Sequence, residues 1–98
     1  MRKEFKIENR VIGHAHPCFC VAEMSGNHLQ DYGRAVEIMH AAKEAGADAV
    51  KLQTYTADSL SVDSDRECFQ IHGGLWDGMT EYQLYQEAYT PWDWQPKL

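Results

Sequence analysis

Residues 46–56 read GADAVKLQTYT, and these eleven residues carry the strongest fold signal in the chain. It opens with glycine, a common helix stop, and the apolar Val50 and Leu52 then predict a buried strand of a parallel sheet. Because side chains alternate along a strand, Lys51 and Gln53 share the face opposite to Val50 and Leu52. A lysine in a buried strand requires an anionic partner. The stretch therefore predicts a strand that also carries one wall of a site.

A second strand and a helix precede this stretch. The apolar run CFCVA, residues 18–22, predicts a buried strand in which the thiols of Cys18 and Cys20 are also buried. Residues 30–45 predict a helix with Asp31 as its N-cap. Strand, helix and strand within about 35 residues predict a βαβ unit with parallel strands.

Polar side chains mark the ends of both predicted strands. Glu23 follows the first strand, and Lys51 and Gln53 lie near the end of the second. Parallel strands of one unit end at the same sheet edge, where ligands of α/β proteins bind. We therefore expect an acid, an amine and an amide to be neighbours. The residues alone leave two roles open for Lys51: an ion pair with Glu23 or a contact with an anionic ligand.

The flanking segments have simpler signals. Residues 5–7 and 11–12 predict a short hairpin, with Asn9 available for a left-handed turn. Residues 57–79 are rich in turn signals and predict a long irregular loop.

Two helix starts are predicted near the end of the chain. Thr80 and Gln83 form a capping-box pattern that predicts a helix through Tyr89. Thr90 and Pro91 then supply a hydroxyl cap and a first-turn proline, which predict a second start.

Composition excludes several classes of function. The net charge of −6, without a basic cluster, argues against nucleic-acid binding. No apolar run reaches membrane-spanning length, and residues 1–4 lead into no signal core, so a cytoplasmic protein without membrane contact is expected. The three cysteines lack zinc-site spacing. His14 and His16 are interpreted as exposed loop residues rather than metal ligands.

The predicted sheet needs further partners. Two parallel strands leave an open edge, and three tryptophans and five tyrosines in 98 residues suggest surfaces that pack against more polypeptide. The residues are consistent with a fragment of a larger α/β protein, or with a non-catalytic module that self-associates.

Two segments resemble the sialic acid synthase family. Residues 22–28, AEMSGNH, resemble its Ala-Glu-x-x-x-Asn-His segment, and residues 51–54, KLQT, resemble its Lys-x-Gln-Thr segment. Residues 55–60 and 84–94 resemble the pseudaminic acid synthase branch of that family. The resemblance covers essentially the whole chain.

The resemblance implies an incomplete barrel. An N-terminal hairpin over residues 1–13 would be followed by the first two βα units of a (β/α)8 TIM-type barrel over residues 17–98. The remaining barrel and a C-terminal antifreeze-like domain would be absent from this chain. A homodimer is expected for the full-length enzyme.

The resemblance also implies a reaction in carbohydrate biosynthesis. Such transferases join phosphoenolpyruvate to an N-acetylated amino sugar, which yields a nonulosonic acid and phosphate. In the pseudaminic branch the sugar is a 2,4-diacetamido-2,4,6-trideoxy hexose. Neuraminic and legionaminic acid synthases are the alternatives. A divalent metal, manganese or magnesium, is expected for the full-length enzyme with ligands outside this chain, and the 98 residues alone are expected to be inactive.

Two residues carry the implied chemistry. Glu23 matches the family's glutamate at the reacting centre, and Lys51 matches the lysine that contacts the phosphate of phosphoenolpyruvate. An ion pair between Glu23 and Lys51 remains the structural alternative for both residues.

Five further residues are implied to contact substrate. Gln53, Asn27 and His28 match motif positions near the active site, although a plain hydrogen bond within the loop is the alternative for His28. Tyr55 and Trp76 are candidate walls of the sugar pocket, with ordinary packing as their alternative.

Overall fold

The computed structural model describes residues 3–98, which form a mixed α/β fold with two separate two-stranded sheets. The domain predicted over residues 1–98 and its hairpin over 1–13 each begin two residues outside the described range. The elements, in chain order, are β1 (Glu4–Ile7), β2 (Arg10–Gly13), β3 (Val21–Glu23), α1 (Tyr32–Glu44), β4 (Ala49–Lys51), α2 (Ala57–Leu60), a 3-10 turn (Glu67–Phe69), α3 (Glu81–Ala88) and a second 3-10 turn (Trp92–Trp94). None of the helices within 3–98 has the length and apolar character to cross a membrane.

The predicted hairpin is confirmed. β1 and β2 pair antiparallel, with Phe5 opposite Ile12. The left-handed residue of the turn is Glu8, at φ +50°, so the assignment of that role to Asn9 was wrong. Glu8 is the first of the two residues in the tight turn between β1 and β2. The geometry of this turn requires a positive φ at that first position, whichever residue occupies it.

An ion pair joins the hairpin to the second sheet. The guanidinium of Arg10 bonds one carboxylate oxygen of Asp48, and the other oxygen accepts the N–H of Cys20 at 2.8 Å. The guanidinium also lies 5.7 Å from the ring centroid of Phe19. The Cys20 N–H contributes most to lowering the pKa of Asp48; burial opposes it, and the hydrogen bond and charge of Arg10 lower the pKa further. These contacts hold the hairpin at the starting ends of β3 and β4.

The βαβ unit is confirmed as well. β3 and β4 pair parallel, although each strand has only three residues. Between them, α1 begins after Asp31, whose carboxylate accepts the N–H of Arg34 at 3.0 Å. It ends before Gly46, whose φ of +91° suits a residue without a Cβ atom.

The core lies on one face of this sheet. Met24, Ala35 and Trp94 are buried there. Partly buried apolar side chains from α1, β4 and the C-terminus pack around them, namely Ile38, Met39, Val50, Leu52 and Leu98.

The opposite face of the sheet stays open to solvent. Val21 on this face is 52% exposed, and Cys18 and Cys20, which precede β3, are exposed as well. The prediction that both strands and both thiols are buried was therefore wrong. Apolar composition signals a strand that can be covered on two faces, but within residues 3–98 only one face receives a covering helix.

Residues 57–79 are less irregular than predicted. α2 occupies their start and packs against α3, and the hydroxyl of Tyr82 donates to Asp58 at 3.0 Å. An isolated bridge pairs Gln70 with Thr80. The short α2 helix was not predicted, because four residues are too few to show the periodic apolar pattern of a helix.

The capping box that starts α3 is confirmed. Of the predicted second helix start, only a single 3-10 turn forms, and Thr90 does not cap it. The N–H of Gln83 donates to the hydroxyl of Thr80 at 3.2 Å. After α3, Pro91 takes the N-cap position of a single 3-10 turn. The hydroxyl of Thr90 caps nothing and instead contacts His28, which lies 62 residues earlier.

Candidate active site

Glu23 and Lys51 form an ion pair at the ends of the two parallel strands. The strand register places the two residues opposite each other, and Nζ of Lys51 lies 3.0 Å from Oε2 of Glu23. The second carboxylate oxygen accepts the N–H of Ser25 at 3.3 Å. The predicted proximity of the acid and the amine is confirmed, whereas the Gln53 amide forms no hydrogen bond with either of these described residues.

Lys51 is exposed, which corrects the expectation that it is buried. Its side chain is 64% exposed and that of Glu23 is 36% exposed. The reason is again the uncovered sheet face, which both side chains share with Val21. An ammonium group has three donors, so the ion pair leaves two for another anion. Exposed pairs contribute at most about 1 kcal/mol, so a ligand can rearrange this one at little cost.

The segment that follows β3, residues 24–30, is called the strand-end loop. The N–H of Met24 donates to the carbonyl of Lys51 at 3.1 Å and so extends the parallel ladder by one bond. Within the loop, Ser25, Leu29 and Gln30 have φ values of +52°, +50° and +57°. Left-handed backbone of this kind costs roughly 1–2 kcal/mol for a residue with a Cβ atom. It persists only where surrounding contacts determine the conformation.

His28 lies inside the fold. Its side chain is 0% exposed, and Nδ1 accepts the N–H of Gln30 at 2.9 Å. In the neutral ring Nε2 therefore carries the proton, which it donates to the hydroxyl of Thr90 at 3.1 Å. The ring also meets Trp94 edge-on at a centroid distance of 5.2 Å. Burial lowers the pKa of His28, which favours this neutral form.

Asn27 and Gln53 lie close to the ion pair along the chain. The side-chain amide of Asn27 donates to the carbonyl of Met24 at 3.0 Å, a contact within the strand-end loop. Gln53 is half-buried just beyond β4, and its carbonyl accepts the N–H of Thr90 at 2.8 Å.

Tyr55 and Trp76 line two different cavities. The ring of Tyr55 meets that of Tyr85 edge-on at 5.6 Å, and burial followed by Tyr85 raises the pKa of Tyr55. Tyr55 lines a cavity of about 380 Å³ whose other polar and aromatic walls include Asp58, Tyr82, Gln86, Tyr89 and Trp92. Trp76 lines a cavity of about 420 Å³ together with Leu29, Gln30, Leu75, Met79 and Glu87. The second cavity touches the strand-end loop, and the first lies beyond the end of β4.

The described residues do not fit a metal ion. Across residues 3–98, no three His, Cys, Asp or Glu side chains come together in an arrangement that could hold one. The acidic side chain at the strand ends, Glu23, already engages Lys51 and the N–H of Ser25.

Thr90 is the residue of this region that sequence reasoning missed. It is 0% exposed and uses both its N–H and its hydroxyl in contacts with segments far away in sequence. A threonine before a proline is an ordinary helix-start signal, and no spacing in the sequence indicates a histidine partner 62 residues earlier.

Known proteins resemble the chain over much of its length. The NeuB family profile matches residues 38–98. The chain is 50% identical over 80 residues to a pseudaminic acid synthase from Campylobacter jejuni, which covers 82% of this chain and 23% of that protein. It is 51% identical over 78 residues to a pseudaminic acid synthase from Helicobacter pylori, a match that covers 80% of this chain and 23% of that protein. It is 52% identical over 48 residues to an N,N'-diacetyllegionaminic acid synthase from Legionella pneumophila, a match that covers 49% of this chain and 14% of that protein. The chain thus spans less than a quarter of the length of these relatives.

Proposed function

The chain belongs to the NeuB family, and from this premise we propose that the natural protein carrying it is a pseudaminic acid synthase. The observation that carries the proposal is the pair formed by Glu23 and Lys51 at the ends of adjacent parallel strands, inside the two segments that resemble the family. Identity of about 50% to pseudaminic acid synthases over most of the chain supports this branch.

The proposed reaction forms one carbon–carbon bond and releases phosphate. C3 of phosphoenolpyruvate attacks the aldehyde carbon of an open-chain 2,4-diacetamido-2,4,6-trideoxy hexose, and the carbonyl oxygen takes up a proton. A water oxygen adds at C2 of the former phosphoenolpyruvate, and the bond from C2 to the phosphate oxygen breaks. The products are a nonulosonic acid and inorganic phosphate.

Lys51 is proposed to bind the phosphate of phosphoenolpyruvate. Its exposed ammonium group holds two donors beyond the bond to Glu23, and a compact cation with several donors suits a phosphate. Because the existing ion pair is exposed, exchanging Glu23 for a phosphate oxygen costs little.

Glu23 is proposed to act at the reacting centre. Once Lys51 turns to the phosphate, one carboxylate oxygen of Glu23 becomes free to accept a proton from the attacking water, or to orient it. The Ser25 N–H keeps the other oxygen in place at 3.3 Å. A carboxylate held this way can position water without moving itself.

Gln53 and Asn27 are proposed as neighbours of the substrate, and His28 takes a different role. Gln53 follows Lys51 by two positions, just beyond the end of β4. The exposed Asn27 would present the carbonyl oxygen of its side chain, since its amide nitrogen is bonded to Met24. His28 matches a substrate-side motif position, but both ring nitrogens are engaged within the protein, which supports an indirect role.

Tyr55 is proposed to form one wall of the sugar pocket, in the cavity of about 380 Å³. Aromatic faces suit the C–H surfaces of a deoxy sugar, and the carboxylate of Asp58 can accept from a hydroxyl or an amide N–H. Tyr55 lies four positions after Lys51, a span of at most about 14 Å. Trp76 is proposed as a more distant wall, from its cavity beside the strand-end loop.

The larger architecture is part of the proposal. The unit formed by β3, α1 and β4 would be the first βαβ unit of a (β/α)8 barrel, with the hairpin at its base. Further barrel units would cover the open face of the sheet that exposes Val21. The enzyme would work as a homodimer in the cytoplasm. The divalent metal expected for the full-length enzyme would take its ligands from outside residues 3–98, whose side chains do not fit one.

A legionaminic acid synthase is the second candidate, since identity to the Legionella protein reaches 52% over a shorter stretch. Assaying phosphate release with each sugar and phosphoenolpyruvate decides between them.

The test uses the natural protein that carries this chain. We expect phosphate release that depends on both phosphoenolpyruvate and the pseudaminic-type sugar. Lys51→Met should raise the KM for phosphoenolpyruvate at least about tenfold, the loss of one charge-assisted contact. Lys43→Met, which removes a lysine from the last turn of α1, is the matched control and should stay within about twofold. Absence of turnover with every nonulosonic precursor sugar, or equal effects of the two substitutions, would overturn the proposal.

A further inference from the structure

Thr90 bonds to the segments that follow both parallel strands. Its N–H donates to the carbonyl of Gln53 at 2.8 Å, two residues after the end of β4. Its hydroxyl accepts the Nε2 proton of His28 at 3.1 Å, within the strand-end loop that follows β3. Both Thr90 and His28 are 0% exposed, so water cannot replace either bond.

The residues before Thr90 contact the same loop. A Cβ atom on Gly26 would lie 2.8 Å from Cβ of Ala88, so the loop backbone lies directly against the end of α3. The side-chain amide of Gln30 donates to the carbonyl of Tyr89 at 3.3 Å. Three consecutive residues, 88–90, therefore hold the strand-end loop in its left-handed conformation.

This loop in turn holds the carboxylate of the candidate site. The strand ladder alone sets the backbone positions of Glu23 and Lys51. The direction of the Glu23 side chain depends also on the N–H of Ser25, whose φ of +52° belongs to the strand-end loop. The direction in which the chain leaves β4 depends on the bond between Gln53 and Thr90.

We propose that Thr90 is the positioning residue of the active site, acting through His28 on Glu23 and through its own N–H on Gln53. It touches no substrate. Without the Thr90 hydroxyl, the buried Nε2 proton of His28 has no acceptor, and the strand-end loop must shift to find one. Small displacements of reacting groups cost far more in rate than in stability.

The kinetic test rests on the proposed synthase function and uses the natural protein that carries this chain. Thr90→Val keeps the branched shape and the N–H but removes the acceptor, and we expect kcat to fall about tenfold to a hundredfold. The KM for phosphoenolpyruvate should change less than about threefold, because Lys51 is untouched. Thr90→Ser restores the hydroxyl and should keep kcat within about threefold of the natural value.

A matched control separates positioning from folding. Asp48→Ala removes the acceptor of the Cys20 N–H and the partner of Arg10, at the opposite end of the two strands. At an equal folded fraction, measured by circular dichroism, kcat of this variant should stay within about threefold. An unchanged kcat in Thr90→Val, or an equal loss in Asp48→Ala, contradicts the positioning role.

A second readout does not depend on activity. In the natural protein, the Nε2 proton of His28 should give a slowly exchanging nuclear magnetic resonance signal, which Thr90→Ser keeps and Thr90→Val loses. If turnover is absent but this signal behaves as expected, the synthase function fails while the Thr90 contact stands. A rapidly exchanging signal in the natural protein would overturn the contact itself.

Discussion

The ammonium group of Lys51 lies 3.0 Å from the carboxylate of Glu23, across two parallel strands whose register places these residues opposite each other. The pair faces solvent, since its side chains are 64% and 36% exposed. An exposed pair adds little to stability, so its value lies in what it can bind. This separation of stability from function can be tested.

Replacing Glu23 should leave the fold almost unchanged. For Glu23→Gln we expect a change of at most about 1 kcal/mol in the free energy of unfolding, because solvent already screens the pair. Turnover of the natural protein should fall by at least about a hundredfold if the carboxylate handles a proton at the reacting centre. Urea denaturation and phosphate release measure the two effects. Glu37→Gln, an exposed carboxylate on α1, is the control and should change neither.

The two tryptophans of the second 3-10 turn should differ sharply. Trp94 is 8% exposed and meets both His28 and Tyr32 edge-on, whereas Trp92 is 60% exposed. Trp94→Ala should lower the free energy of unfolding by about 3–5 kcal/mol, because it removes a large part of a small core. Trp92→Ala should cost about 1 kcal/mol, mostly through the bond from its indole N–H to the carbonyl of Tyr55. Similar losses in urea denaturation would mean that the core is not centred on Trp94.

The contact between the strand-end loop and α3 should tolerate no added methyl group. Gly26→Ala would place a Cβ atom 2.8 Å from that of Ala88 and 3.1 Å from its carbonyl oxygen. We expect a loss of about 1–3 kcal/mol from overpacking. Ala88→Gly removes one of the clashing atoms, so the double variant should be more stable than the sum of the single effects predicts. Additive effects in the double-mutant cycle would exclude a direct contact.

The buried histidine should make stability depend on pH. Burial lowers the pKa of His28 below its ordinary value of 6.5, so the unfolded chain takes up the proton first as the pH falls. The free energy of unfolding should therefore decrease below about pH 6.5, and the decrease should level off once the folded form is also protonated. Urea denaturation between pH 8 and pH 5 measures the slope.

A substitution assigns that slope to His28. His28→Gln should flatten the decrease between pH 6.5 and pH 5, whereas His14→Gln, at an exposed loop position, should leave it unchanged. Equal slopes in the natural chain and in His28→Gln would show that other groups carry the pH dependence.

Local signals predicted the elements well. Asp31 and Gly46 bound α1, and Thr80 and Gln83 start α3, because caps and stops act on backbone groups within a few residues. The short α2 helix was not predicted, and the role of Asn9 in the hairpin turn was wrong. Both errors concern segments of a few residues, where several conformations satisfy the same local signals.

Burial was predicted less well. The apolar residues 18–22 predicted a strand buried on both faces, but Val21 and the two cysteines of that run are exposed. Lys51 is exposed for the same reason as Val21, since both lie on the uncovered face of the sheet. Composition indicates what a strand can pack against, whereas burial depends on which elements actually cover it.

In the candidate site, too, the contacts set by local signals were predictable and those set by packing were not. The meeting of Glu23 and Lys51 was predictable from the sequence, because a parallel βαβ unit brings the ends of its strands to one edge. The burial of His28 and its bond to Thr90 became apparent only from the three-dimensional packing. That contact joins residues 62 positions apart. Its geometry depends on how α3 packs against the strand-end loop, which no local pattern encodes.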